Sequence, residues 1–253
     1  MHRTTRTTLF PAALAAVLLT SGCGGVGDIG VDPVSDSRSF GISGPKLTID
    51  TTGDVRVESG KGSRVKVSRE LAGKAAEDGN ASWELEGDTL RLTAECKGLV
   101  LNCGSHYTVE VPPGVTAVSV RTKGGEVAAD SLPGALTVET KTGDIRVTKG
   151  SGELRLSSDT GRVSVSDSLS ADVRVSSRDA DHTLSFARAP RRVVDRTGKG
   201  DISVTLPEDN TRYRIDASAQ REDKARIGVG SDRSAANRLT LESPRGRVRV
   251  AQK

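Results

Sequence analysis

Aromatic side chains are nearly missing: the 253 residues include one Trp, two Tyr and three Phe, namely Trp83, Tyr107, Tyr213, Phe10, Phe40 and Phe186. This removes the material for a base-stacking platform or an aromatic sugar cleft. An excess of one charge is missing as well. The formal net charge is +4, and residues 1–22 supply two arginines and no acid, so the remainder holds 35 basic against 33 acidic residues, or +2. Nothing in that balance argues for a nucleic-acid partner. The chain has no G-x-S-x-G elbow, no H-E-x-x-H and no P-loop, so no familiar nucleophile, zinc or phosphate-transfer motif is present, and no cofactor is implied. The only cysteines are Cys23, Cys96 and Cys103.

The first apolar run, Leu9–Leu19, is eleven residues long. A bilayer-spanning helix needs about 20. With Arg3 and Arg6 ahead of it, the run reads as the core of an export signal. Thr20-Ser21-Gly22-Cys23 then resembles the lipobox of bacterial lipoproteins, in which a small residue precedes a cysteine that is lipidated and becomes the mature N-terminus. Thr20 stands where that motif usually has Leu. The resemblance implies a signal peptide over 1–22, lipidation (palmitate and related acyl chains) at Cys23, and attachment to the outer face of the bacterial cytoplasmic membrane at the cell surface. The alternative is an ordinary secretory signal with an incidental cysteine. The glycine-rich, polar stretch 23–38 reads as a flexible tether.

Export places Cys96 and Cys103 outside the reducing cytosol, flanking a short segment between two strand-like runs. A structural disulfide is expected there, worth about 2.5 kcal/mol in the chain-entropy model. A redox or metal pair is the alternative reading, with no C-x-x-C to support it.

From Ala117 onward, short runs with aliphatic residues two apart recur at nearly constant spacing. Their first inward residues are Val118, Val127, Leu136, Ile145, Leu154, Val163, Val173, Leu184, Val193 and Ile202, at steps of nine to eleven residues. Alternation with period two marks a strand with one buried face, and the Gly, Ser, Asp and Thr residues between runs are turn formers. A second period lies above the first. Gly125-Glu126-Val127, Gly143-Asp144-Ile145 and Gly161-Arg162-Val163 are 18 apart, as are Gly134 and Gly152. Two strands per 18 residues predict an all-β, two-sheet β-solenoid; an antiparallel β-sandwich is the alternative. Looser repeats start at Leu47, and Leu71–Ser82 reads as a loop or one helical turn, so 39–253 is expected to form one elongated domain.

Val111-Pro112-Pro113-Gly114, Thr142-Gly143-Asp144-Ile145-Arg146-Val147 and Lys199-Gly200-Asp201-Ile202-Ser203-Val204-Thr205-Leu206-Pro207 occur in that order. As an ordered set they make the chain resemble the bacterial "putative adhesin" family of β-solenoids, whose function is unknown. That resemblance implies a solenoid and supplies no catalytic residues.

Several residues are candidates for chemistry. The Gly-Asp turns invite comparison with calcium-loaded β-rolls, but the equivalent positions are Glu126, Asp144 and Arg162, so the carboxylate ladder is broken and structural turns are expected. Asp179, Asp181 and His182 are the one group that could flank a substrate or ligate a cation, in what reads as a solvated loop at the longest repeat. His106 is expected to face solvent. Outward strand positions include Arg146, Arg155 and Arg174, a possible binding surface for wall glycan or another envelope protein. The functional expectation is a non-catalytic, adhesin-like surface lipoprotein, with an envelope polysaccharide hydrolase or lyase as the alternative.

Overall fold

The computed structural model describes residues 33–95, 103–220 and 225–253. Cys23, Cys96 and the whole of 1–22 lie outside the described residues. The chain first forms β1 (Val34–Phe40), β2 (Lys46–Thr51), β3 (Asp54–Ser59) and β4 (Val65–Gly73), then β5 (Ala81–Glu86), β6 (Thr89–Ala94) and β7 (Cys103–Val111). The regular array follows: β8 (Ala117–Thr122), β9 (Val127–Asp130), β10 (Ala135–Thr140), β11 (Ile145–Thr148), β12 (Leu154–Ser158), β13 (Val163–Ser168), β14 (Asp172–Ser177), β15 (His182–Phe186), β16 (Arg192–Thr197) and β17 (Ile202–Leu206). Four strands complete it: β18 (Tyr213–Ala219), β19 (Ala225–Ile227), β20 (Asn237–Ser243) and β21 (Val248–Gln252).

These strands form a two-sheet β-solenoid. Even-numbered strands β8 to β16 stack in parallel in a ten-stranded sheet, sheet B, and odd-numbered strands β9 to β17 do so in an eleven-stranded sheet, sheet A. Each coil contributes one strand to each sheet, as the 18-residue period requires. Leu136 lies beside Val118 and Leu154, and Ile145 beside Val127 and Val163. The inward residues of both sheets meet in one continuous aliphatic core running from Phe40 to Val250. Full burial of each such side chain contributes about 1.5–3 kcal/mol, so the core rests on many small Val, Ile and Leu contributions and needs few rings.

One register differs from the sequence reading. His182, not Leu184, sits beside Val163 and Ile202, while Leu184 pairs with Val165 and Val204. The longest step therefore falls after β15, across Ala187–Arg191, and His182 is a core residue rather than part of a solvated loop. A polar residue at an aliphatic slot hid the strand start. Leu71–Ser82 holds the expected helical turn, a 3-10 turn over Lys74–Ala76, but its ends are strand: Leu71 is buried in β4, which runs to Gly73, and Ala81 opens β5.

The ends depart from simple winding. β6 and β7 form a coil outside the earlier coil β2–β3, and β8–β9 returns to the other side of that earlier coil. Antiparallel β4, β1 and β5 cover this end. Here Arg69 forms a two-pronged ion pair with Asp36 and lies 4.0 Å over the Trp83 ring, linking β1, β4 and β5. Val34–Arg38, at the end of the expected tether, form most of β1. At the other end, β20–β21 slots between β16–β17 and the outermost coil β18–β19.

Candidate functional site

Two kinds of surface are available, the edge where sheet B turns into sheet A and the two outward faces. At the edge, a hydroxyl closes β8, β10 and β12 of sheet B and binds the turn that follows. Thr122, Thr140 and Ser158 accept hydrogen bonds from the backbone N–H of Gly125, Gly143 and Gly161, at 3.2, 3.0 and 2.8 Å. The next residue links neighbouring coils. Asp54, Asp144, Asp181 and Asp201 each accept, through Oδ1, the backbone N–H of the equivalent residue one coil on, at 2.8 to 2.9 Å. Those donors are Glu126, Arg162, Asp201 and Arg247. The Gly-Asp motif is thus a stacking device: its carboxylates satisfy backbone donors that a tight turn leaves over.

On the outward faces from β8 to β16, exposed arginines pair with acids. Arg146 projects from sheet A and pairs with Glu126, and with Asp144 at 3.6 Å. Arg155 and Arg174 are neighbours on sheet B, and both reach Glu153. The structure therefore brings two of the three expected binding arginines together and places the third on the opposite face. Arg121–Glu139 and Arg196–Glu242 continue the pattern on sheet B. Exposed pairs of this kind contribute about 0–1 kcal/mol each, so they set surface character more than stability.

Asp179, Asp181 and His182 do not form one site. Asp179 lies 3.6 Å from the Lys199 ammonium, and Asp181 is engaged in the turn ladder. His182 points into the core, where its Nδ1 lies 2.5 Å from Oδ1 of Asp195, and both side chains are fully buried. Burial pushes the Asp195 carboxyl above its ordinary range, against the opposing pull of the His182 hydrogen bond. Nε2 of His182 and Oδ2 of Asp195 have no hydrogen-bond partner among the described residues. Asp195 was missed in the sequence, although a signal existed: it occupies the slot two residues after Val193 where other strands carry a second aliphatic. His106 is exposed, with Nδ1 3.1 Å from Asp54. Cys103 opens β7, and its expected partner Cys96 lies outside the described residues.

No protein-family model and no curated protein matches this chain. Solved structures do. A "putative lipid binding protein" from Parabacteroides distasonis superimposes with a TM-score of 0.51 at 11% identity, over 86% of this chain and 96% of that one. A "putative adhesin" from Bacteroides fragilis gives 0.49 at 14% identity, over 87% and 97%. A "putative cell adhesion protein" from Clostridium sporogenes gives 0.43 at 13%, over 87% and 100%. The fold is shared. At these identities the likeness extends to fold alone.

Proposed function

We propose that the chain is a non-catalytic, adhesin-like surface lipoprotein, anchored through Cys23 to the outer face of the bacterial cytoplasmic membrane. In this reading Cys96 and Cys103 form a disulfide, and the solenoid faces bind wall glycan or another envelope protein, not nucleic acid. The observation that supports binding over catalysis is the sealing of His182 and Asp195 inside the core. It leaves Asp179 and Asp181 at the edge without the imidazole that would complete a proton-transfer pair. A stack repeating at about 4.8 Å presents similar groups at regular intervals, which suits an extended partner. Anchoring many copies on one surface lets weak contacts add through multivalency.

Two measurements test the reading. Cells fed a labelled fatty acid should label the wild-type protein and not Cys23→Ala; an unlabelled wild type removes the anchor. Glycan-array binding and turnover are then measured on the same envelope polymers. Binding without turnover, weakened by Arg155→Glu with Arg174→Glu, is the expected result. Turnover abolished by Asp181→Asn would instead establish the hydrolase or lyase.

A further inference from the structure

Charge is distributed unevenly along the solenoid. Residues 188–253 hold 13 Arg and 3 Lys against 9 Asp and Glu, a balance of +7, whereas residues 1–187 hold 21 basic and 24 acidic residues, a balance of −3. The small net charge of the chain conceals this polarity. Most outward arginines elsewhere stack against an acid of the neighbouring coil, and even the adjacent pair Arg155 and Arg174 shares Glu153. Sheet A breaks the rule at its β19 end. Arg226 and Arg249 are direct partners across parallel β19 and β21, one strand spacing apart, and both are exposed. Neither has an acidic partner among the described residues. Like charges placed directly opposite on a sheet face disfavour the pairing, so a counter-charge would relieve this arrangement.

The surroundings have the shape and chemistry to receive one. Arg226 and Arg249 line an open groove of about 350 Å³, together with Ser203, Arg247 and Asp201. Ser203 stands beside Arg249 on the next strand and offers a hydroxyl. Arg247 is fixed at the rim by Asp201, whose Oδ2 accepts from Nε at 2.8 Å and from Nη2 at 2.5 Å. One acid is thus already engaged, and two guanidiniums remain for a ligand. Among the described residues the cations of the groove are all arginines, whose planar forks match the oxygens of phosphate in pairs where a lysine offers only a point charge.

We propose that the Arg226–Arg249 groove is an oxyanion site that takes phosphate groups. The proposal gives the binding role above a second place and a ligand chemistry. It rests on that reading only in assuming that the surface serves to bind, because the groove is on the opposite sheet from Arg155 and Arg174. Phosphate could come from a lipid headgroup or from a soluble or polymeric phosphate. The full chain in neutral detergent is therefore titrated separately with glycerophosphoglycerol, the phosphatidylglycerol headgroup, and with inorganic tripolyphosphate. Whichever source is preferred, binding should weaken with added salt. It should fall at least tenfold in the Arg226→Glu, Arg249→Glu double variant and be retained in the Arg121→Glu, Arg196→Glu double variant, an equal charge reversal on sheet B. The Arg226→Gln, Arg249→Gln variant, checked for an unchanged melting temperature, guards against misfolding and should also lose affinity. Absence of binding to both probes, or affinity unchanged in the folded Gln variant, overturns the site. Loss of glycan binding in Arg155→Glu with Arg174→Glu is scored separately, so either proposal can fail alone.

Discussion

Glycine in this chain is placed by its neighbours in space. A Cβ on Gly143 would collide with the carbonyl oxygen of Gly125, and one on Gly161 with that of Gly143, because equivalent turns of successive coils lie in direct contact. Gly152 has the same relation to Gly134 along the other edge. The obstacle in each case is backbone, which cannot rotate away. Gly143→Ala should therefore destabilise the domain by about 1–3 kcal/mol, the usual cost of forcing extra volume into a packed site. Gly114→Ala, where no atom lies within 4 Å of the added carbon, should leave the melting temperature nearly unchanged. Equal effects at the two positions would show that the turns do not stack closely. Non-glycine residues adopt the left-handed conformation where strands of sheet A end: Ser131 just after β9, Lys149 just after β11 and Asp167 at the irregular end of β13, 18 apart, have φ of 53°, 53° and 49°. The glycine period was legible in the sequence because contact between coils recurs at the coil length. These left-handed corners were not, since Ser, Lys and Asp carry no common signal.

At the scale of the strand, β15 and β16 replace two aliphatic slots with His182 and Asp195. Their inward neighbours are Val163 and Ile202 beside the histidine, and Val175 and Leu241 beside the aspartate, so no other ionisable group flanks them in their own sheets. Removing one partner strands a buried polar group, and Asp195→Ala should cost about 3–5 kcal/mol. Replacing both, as His182→Val with Asp195→Leu, restores the aliphatic ladder and should be neutral or stabilising by about 1–4 kcal/mol. Chemical denaturation of the three proteins measures this order. The raised pKa of Asp195 carries its own sign: the native state holds a proton that the unfolded chain releases at lower pH. That contribution is fully present below the unfolded value, near 3.9 as a rough reference, and is lost as pH rises through the folded value. Asp195→Leu with His182→Val should flatten this part of the stability profile. An unaltered profile would show that Asp195 does not take up a proton with folding. The strands themselves were legible from alternation. The pair was not, because a lone His after Asp-Ala-Asp looks like loop surface and Asp195 acquires its meaning only from the strand facing it.

Over the whole molecule, spacing gives the coil but not the order in which coils stack. The nine-residue beat identified every strand from β8 to β17, where sequence neighbours are also neighbours in space. It could not reveal that β6–β7 lies outside β2–β3, or that β18–β19 lies outside β20–β21. Those placements depend on long connections, and loop-closure entropy changes too slowly with length to leave a signature. The Arg226–Arg249 groove was hidden for the same reason, since Arg226 belongs to the excursion. The order itself can be tested by deletion. Replacing Pro207–Ala236 with a five-residue turn, the length of Ala187–Arg191 between β15 and β16, should let β17 lead directly into β20. That protein should retain a cooperative melt. Deleting Asn237–Lys253 instead leaves β18 and β19 without the strands they pair with, and should broaden or abolish the transition.

The same interleaving bears on how the molecule responds to force. In a plainly wound stack, tension on the final strand breaks a single ladder, and the coils come off one after another like thread from a spool. Here tension applied beyond Gln252 acts on β21, which is bonded to β17 on one side and to β19 on the other. Two ladders must yield together before any slack is released. Such a doubly gripped end acts as a mechanical stop.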